Sequence, residues 1–235
     1  MWDTEASACL PDDFAGTVRL FPLPNLVMFP HVAQPLHIFE PRYRELLRDA
    51  LATDQLIAMA LLRPGWEADY DGRPSLYPTA CIGRVTAHAE VDDGKFNIIL
   101  TGVRRAAIVD ELPPERAYRT AEVAVLEDLY PNAGKRQRAG LRTELLRCFR
   151  QFIPQSPAVL EQFETLTTSQ VRLGVLADII AFTIDFDLDF KQLLLAEWNV
   201  DTRAEMLVEQ LGQLRNGSSG TFDKHEPFPP DFSDN

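Results

Sequence analysis

The sequence contains few of the residues that build a metal centre or a disulfide framework. The three cysteines of the 235-residue chain are widely spaced, without a C-x-x-C pair, at Cys9, Cys81 and Cys148. The four histidines are scattered, without metal-ligand spacing, at His31, His37, His88 and His225. Neither a disulfide scaffold nor a zinc site fits this pattern. We therefore predict reduced thiols, no metal and no cofactor.

Motifs for nucleotide binding and nucleophilic catalysis are also missing from the sequence. It contains no G-x-x-x-x-G-K-[ST] phosphate loop and no G-x-S-x-G nucleophile turn. Adjacent carboxylates such as Asp92 and Asp93 lie at a turn signal, where aspartate is favoured by hydrogen bonds to its own backbone. No residue is predicted to be catalytic, and the chain is predicted not to be an enzyme.

Long apolar runs and an excess of positive charge are absent as well. The apolar stretch at 175–184 is interrupted by Asp178 and is too short to span a bilayer, and the N-terminus lacks a basic signal region. The formal net charge of −12 repels nucleic-acid phosphates on average. We expect a cytoplasmic protein that binds no membrane, with nucleic acid an unfavoured partner.

The segment 20–47 carries the strongest structural signals in the chain. Large apolar residues from 21 to 29 predict a buried strand, in which prolines belong at an edge or at bends. Glu40 and Pro41 then predict the start of a helix, because proline loses no hydrogen bond in the first helical turn. The apolar residues that follow fall on one helical face, at Tyr43, Leu46, Leu47, Ala50 and Leu51.

The remainder of the chain separates into a β-rich part and a helical part. Strands are predicted at 55–62, 80–91, 96–100, 104–110 and 119–126, with turns at 92–94 and at Pro113-Pro114. Beyond residue 131 the apolar period becomes helical and predicts four to five helices, one of them beginning at Ser156-Pro157 and another capped by Asp201.

Several of these segments together resemble the LON domain family. The resemblance is carried by 20–47, by the hairpin and strand at 80–91 and 96–108, and by the helical segments 176–181 and 190–211. It implies an α+β fold, in which a PUA-like β pseudo-barrel has a helix after its first strand and is followed by a C-terminal α-helical bundle. The boundaries that we predict are a leader at 1–16, the barrel at 17–127, a helical subdomain at 128–215 and a disordered tail at 216–235.

The resemblance also implies a function. LON domains form the substrate-engaging N-terminal region of ATP-dependent Lon proteases, and free-standing proteins of this kind exist. Because this sequence lacks recognisable ATPase and protease motifs, we expect a free-standing, non-catalytic protein that binds unfolded polypeptides or protein partners. Two alternatives remain open, an RNA-binding PUA-like module and a regulatory partner of a separate Lon protease.

Two candidate contact surfaces follow from the placement of aromatic and apolar residues. The turn-rich 63–78 loop carries Trp66, Tyr70 and Tyr77, and aromatic residues on a loop held by a rigid barrel are suited to binding peptides. The alternative is that these rings fold back onto the protein. The second candidate is the turn containing Met28, Phe29 and His31, for which the alternative is core packing.

Overall fold

The computed structural model describes residues 9–70 and 72–217. These residues form two compact units, which are described separately below. The first unit comprises the described residues up to 127 together with 187–196, and the second comprises 128–186 together with the residues from 197 onwards. The first unit is built mainly of strands and the second of helices.

Six strands in the described chain form one mixed sheet that closes on itself. The strands are β1 (Thr17–Leu23), β2 (Ala33–Ile38), β3 (Leu56–Leu62), β4 (Leu76–Val91), β5 (Lys95–Glu111) and β6 (Arg119–Leu126). The circuit runs β5-β4-β3-β1-β6 and returns to β5, because the long β5 pairs with β4 and with β6. β2 is paired with the other half of β5. The predicted barrel is therefore confirmed.

The interior of the barrel is filled by small and medium-sized apolar side chains. Alternate residues of β3 point into this core at Leu56, Ala58 and Ala60, and Leu10 and Phe14 pack against it from the segment before β1. A small barrel has room for little more than its own side chains, which explains the alanines. Residues 1–8 of the predicted leader lie outside the described residues.

The proline-rich segment differs in detail from its prediction. β1 begins at Thr17 but ends at Leu23, so the predicted strand to residue 29 is wrong beyond that point. The sequence did not reveal β2, which lies between β1 and the first helix. Pro35 is tolerated in β2 because this strand pairs along one side, with β5.

Helix α1 (Pro41–Leu51) begins at the predicted proline. It buries Tyr43, Leu46, Leu47 and Ala50, which lie on the predicted face. The helix packs against β1 and β3. It thereby fixes Arg42 and Tyr43 at the start of the helix.

Helix α5 (Leu188–Ala196) belongs to the first unit, although the sequence-based boundaries group it with the later helices. Gln192 Nε2 donates to the Thr79 carbonyl at 2.6 Å, and Arg105 Nε donates to the Leu195 carbonyl at 3.1 Å. Arg105 is 2% exposed. This arginine is therefore a buried residue that joins β5 to α5.

The second unit contains α2 (Arg138–Phe149), α3 (Pro157–Thr168), α4 (Leu173–Thr183) and α6 (Val200–Gly217). α6 packs against α2 and α4. The side chain of Asn199, not that of Asp201, caps α6, because its Oδ1 accepts the Asp201 main-chain N–H at 3.1 Å. Asp201 instead pairs with Arg138 at 2.6 Å. Residues 218–235 of the predicted tail lie outside the described residues, and α6 includes 216 and 217.

Candidate functional site

Trp66 and Tyr70 form an aromatic pair on the loop between β3 and β4. A short 3-10 turn, Trp66–Asp69, follows Gly65, whose φ of 88° lies in the left-handed region that glycine adopts without a side-chain clash. The ring centroids of Trp66 and Tyr70 are 5.5 Å apart, edge to face. Both residues are half-buried. The structure thus brings together two of the three aromatic residues predicted to bind polypeptide.

Tyr70 is fixed by charged residues at the start of α1. Its hydroxyl donates to Glu40 Oε1 at 2.8 Å, and Glu40 Oε2 accepts from Arg42 Nε at 3.0 Å. The Arg42 guanidinium lies 4.9 Å from the ring centroid of Tyr70 and 4.7 Å from that of Tyr43, within cation–π range. Burial, together with the hydrogen bond to Glu40, raises the pKa of Tyr70, so its hydroxyl remains a donor at neutral pH.

A cavity of about 230 Å³ lies beside Tyr70. Its walls come from the start of α1, from the 63–78 loop and from the 112–118 loop that joins β5 to β6, with one residue each from β1, β3 and β6. The polar part of the lining is dominated by four arginines, Arg42, Arg73, Arg116 and Arg119. The apolar part includes Pro22, Leu62, Pro74 and Pro114.

Arginine side chains join the two loops that border this cavity. Arg119 is 8% exposed; its Nη1 donates to the Pro74 carbonyl at 2.8 Å, and its Nε and Nη2 both donate to the Glu111 carboxylate. Arg73 Nη1 donates to the Leu112 carbonyl at 3.1 Å. These contacts hold the 63–78 loop against the 112–118 loop, so the walls of the cavity support each other.

The cavity is also tied to α1 from its other side. The Tyr118 hydroxyl donates to Asp49 Oδ2 at 2.7 Å, and Arg116 Nη1 lies 3.8 Å from the same carboxylate oxygen. Burial, followed by the interaction with Asp49, raises the pKa of Tyr118. Both Tyr118 and Tyr70 are therefore neutral hydrogen-bonding groups at physiological pH.

Tyr77 is placed apart from the aromatic pair. It lies in β4, which begins at Leu76 within the predicted 63–78 loop, and its hydroxyl donates to Asp189 of α5. The Arg63 guanidinium lies 5.0 Å from the Tyr77 ring centroid. Tyr77 does not contribute to the lining of the cavity described here.

The turn at Met28, Phe29 and His31 presents little apolar surface. Met28 is 1% and Phe29 0% exposed, so both side chains pack in the core. His31 is exposed and adopts a φ of 67°, and its main-chain N–H donates to the Gly102 carbonyl at 2.8 Å. A side chain at Gly102 would clash with the Phe29 carbonyl, which explains the glycine in the middle of β5.

The four arginines of the cavity were not identified from the sequence. Arg42 and Arg119 occur within an amphipathic helix and a strand, where an arginine is usually a solvated residue. Two signals pointed to this region: the aromatic residues of the 63–78 loop, and the Pro113-Pro114 reversal, which places Arg116 and Tyr118 on a loop at the end of the barrel.

Other site classes find no support among the described residues. Within 9–70 and 72–217, no group of three or more His, Cys, Asp or Glu side chains is placed to hold a metal ion. Over the same residues, no helix combines the length and the apolar composition needed to cross a membrane. The candidate site rests instead on the geometry of the loops around Trp66, Tyr70 and the arginine-lined cavity.

Comparison with known sequences identifies the family. The model of the ATP-dependent protease La (LON) substrate-binding domain matches residues 17–213, and the chain belongs to this family. It is 27% identical over 204 residues to Lon protease 2 of Myxococcus xanthus, covering 87% of this chain and 24% of that protein. It is 26% identical over 204 residues to the Lon protease of Anaeromyxobacter dehalogenans, with the same coverage. The chain spans about a quarter of the length of these relatives.

Solved structures agree on the fold. The N-terminal domain of a Mycobacterium avium complex Lon protease superposes with a TM-score of 0.65 at 16% identity, covering 83% of this chain and 98% of that domain. A Lon N-terminal domain protein from Xanthomonas campestris gives a TM-score of 0.57 at 19% identity, covering 82% and 97%. The predicted α+β fold, with a barrel followed by helices, is that of Lon N-terminal domains.

Proposed function

We propose that this chain binds unfolded polypeptide through its first unit, at the surface formed by Trp66, Tyr70 and the adjacent cavity. The observation that carries the proposal is the match to a substrate-binding domain family over residues 17–213. The residues of the contact surface are inferred from their geometry in this structure. No chemical step is assigned to them.

The aromatic pair has the physical properties of a peptide contact. Large aromatic side chains contribute most to binding when their position is fixed before the ligand arrives, because little conformational entropy is then lost. Tyr70 is held by Glu40 and Arg42, and Trp66 packs on Tyr70 at 5.5 Å. Since both rings are only half-buried, they retain surface that a polypeptide can cover.

The proposed surface is narrower than the sequence predicted. Met28 and Phe29 are buried, and Tyr77 is engaged by Asp189. We therefore place the main contact on Trp66 and Tyr70, and assign no direct contact to Met28, Phe29 or Tyr77. A contact at the exposed His31 stays a prediction. Polypeptide binding by way of the loop should survive changes at Tyr77 better than changes at Trp66.

The test is a fluorescence-anisotropy titration of a labelled, reduced and alkylated polypeptide with the wild-type chain, with Trp66→Ala and with Trp198→Ala. Trp198 is the matched control because it is 50% exposed and lies in the second unit. We expect Trp66→Ala to weaken binding about tenfold, the size of an ordinary aromatic hot spot. Trp198→Ala should bind as the wild type does.

Equal affinities for the wild type and Trp66→Ala would contradict the proposed surface. Failure of the wild type to bind any unfolded polypeptide would contradict the proposed function itself. A parallel titration with single-stranded RNA addresses the nucleic-acid alternative, since RNA binding would be strongly salt-dependent and would compete with the polypeptide. We expect no such competition.

A further inference from the structure

We infer that the arginine-lined cavity beside Tyr70 binds a carboxylate group of the polypeptide. This inference rests on the proposed function and specifies which chemical feature of the polypeptide the site selects. It is carried by the cavity, by the charge of its lining and by the hydrogen-bonding capacity of two of its arginines.

The lining of the cavity contrasts with the charge of the whole protein. The chain carries a formal net charge of −12, yet four arginines line the cavity and none of the described residues that line it is acidic. A concave site lined by one sign of charge concentrates counter-ions of the opposite sign. The cavity therefore favours an anionic group, although the net negative charge of the whole protein repels anions on average.

The carboxylates closest to this lining already have partners. Glu40 accepts from Tyr70 and Arg42, and Glu111 accepts two hydrogen bonds from Arg119. Asp49 accepts from Tyr118 at 2.7 Å. Arg42 and Arg119 are thus neutralised within the protein and act as fixed walls, which leaves Arg73 and Arg116 as the arginines to consider for a ligand.

Arg73 and Arg116 retain hydrogen-bond donors. A guanidinium has five N–H donors. In its contacts with described residues, the Arg73 side chain donates to the Leu112 carbonyl, and the nearby Asp69 carboxylate accepts the Arg73 main-chain N–H at 3.3 Å. Arg116 lies 3.8 Å from Asp49, beyond ordinary hydrogen-bond length, and its side chain is 59% exposed. The planar fork of either guanidinium can bind a carboxylate through two parallel hydrogen bonds.

The size and the apolar lining of the cavity narrow the ligand further. A volume of about 230 Å³ is below the roughly 300–1,000 Å³ of typical small-molecule sites, and so suits one residue of a chain. Pro22, Leu62 and Pro114 supply apolar walls for the aliphatic part of that residue. Two parts of a polypeptide combine a carboxylate with a short aliphatic segment: the C-terminal residue, and the side chain of Glu or Asp.

The test uses a short peptide without other acidic residues, labelled at its N-terminus with an uncharged methoxycoumarin, in four forms. They are the free C-terminal acid, the C-terminal amide, the amide with one internal Glu and the amide with Gln at the same position. We expect at least one of the two acid forms to bind about tenfold more tightly than the matching neutral peptide, because a carboxylate forms a charge-assisted hydrogen bond with a guanidinium. Preference for the first pair assigns the terminus, and preference for the second assigns the side chain.

The protein variants are Arg73→Gln/Arg116→Gln and, as the control, Arg147→Gln. Arg147 is an exposed arginine of the second unit that is paired with Glu144. The double variant should lose the preference for the acid form, whereas the control should retain it. Arg73 and Arg116 are exposed, so the double variant should fold as the wild type does. Its melting temperature checks this and distinguishes a folding defect from a loss of binding.

Three results would overturn the inference while leaving the proposed function intact. The first is equal affinity of the wild type for acid and neutral peptides, and the second is an acid preference that persists in the folded double variant. If the wild type binds none of the peptides but binds the longer unfolded polypeptide, the inference also fails alone. If it binds neither, the proposed function fails with it.

Discussion

Arginine side chains occur in both units, but their surroundings differ. In the second unit Arg203 is 0% exposed, and it pairs with Asp128 at 2.9 Å and with Asp178 at 3.2 Å while donating to the Glu197 carbonyl at 2.6 Å. In the first unit Arg73 and Arg116 lie at the surface and keep spare donors beside a cavity. The same guanidinium chemistry therefore stabilises a helical core in one unit and is available to a ligand in the other.

The two units also differ in what it costs to change the partners of their arginines. Asp178 in α4 is 0% exposed, so the charge in the otherwise apolar stretch 175–184 serves the Arg203 network. Removing one partner of a buried ion pair is costly because the other charge is left in a low-dielectric interior. Arginines that are exposed and loosely paired can change partners at much smaller cost. This difference supports placing recognition on the loops of the first unit.

The largest effect should come from breaking the buried network of the second unit. Arg203→Met leaves Asp128 and Asp178 without their cation, and we expect the free energy of unfolding to fall by about 3–5 kcal/mol. Urea denaturation followed by far-UV circular dichroism measures this change. Arg147→Met is the control, because Arg147 is exposed in the same unit and should denature close to the wild type. Equal losses in the two variants would contradict the assignment.

A smaller effect should come from the structural arginine of the first unit. Arg119→Met removes the two hydrogen bonds to Glu111 and the one to Pro74, and should reduce the free energy of unfolding by about 2–3 kcal/mol. Because Arg119 holds both loops, the variant should also bind polypeptide more weakly. Arg119→Lys keeps the charge but loses the planar fork, so it should fall between the wild type and Arg119→Met. A variant of wild-type stability and affinity would refute this role.

Alkaline pH should destabilise the first unit through its cavity-lining tyrosines. Burial raises the pKa of Tyr43, Tyr70 and Tyr118 in the folded protein. The folded state then holds these protons more tightly than the unfolded state. The contribution of the three tyrosines to the free energy of unfolding is therefore fully present below about pH 10, the ordinary pKa of tyrosine, and it falls as the pH rises above that value.

This dependence can be assigned by substitution. Tyr70→Phe/Tyr118→Phe should flatten the loss of stability above about pH 10, measured by urea denaturation at increasing pH. Tyr130→Phe in the second unit changes one tyrosine whose pKa is also raised by burial. This single variant should flatten the loss of stability above about pH 10 less than the double variant does. Identical pH profiles for the wild type and the double variant would show that these tyrosines do not control it.

The smallest changes in the free energy of unfolding should come from substituting two glycines by alanine, one substitution lowering it and the other raising it. Gly65→Ala places a side chain at a φ of 88° and should cost about 1 kcal/mol, because the left-handed conformation is unfavourable for alanine. Gly140 lies in α2 with nothing within 4 Å of an added Cβ, and Gly140→Ala should stabilise the chain by about 0.5 kcal/mol. Thermal denaturation of both variants measures the signs. A melting temperature of Gly65→Ala above that of the wild type would contradict the left-handed conformation of Gly65 before Trp66.

Local patterns predicted those elements whose signals lie within a few residues. Pro41 marked the start of α1, and the β-rich composition of 119–126 gave the bounds of β6. The pattern predicts separate strands at 96–100 and 104–110, with Gly102 between them. In the structure β5 is continuous, and the glycine is needed because the Phe29 carbonyl approaches it from a distant segment. Such long-range contacts leave no local signal.

The candidate site could be predicted only in part for the same reason. The aromatic pair Trp66 and Tyr70 was predicted because both residues lie on one loop. The arginine-lined cavity was not, since Arg42, Arg73 and Arg116 come from three separate segments that only the closed barrel brings together. Arg119 and Arg203 were missed because burial of an arginine depends on partners far away in the sequence.

Amide hydrogen exchange, measured with and without a saturating unfolded polypeptide, shows which unit the polypeptide contacts. We predict slower exchange on binding in the 63–78 and 112–118 loops, together with little change in α2 and α4 of the second unit. Trp66→Ala at the same polypeptide concentration should lose this protection. Protection confined to the helices of the second unit, with the two loops unchanged, would contradict the claim that the first unit recognises the polypeptide.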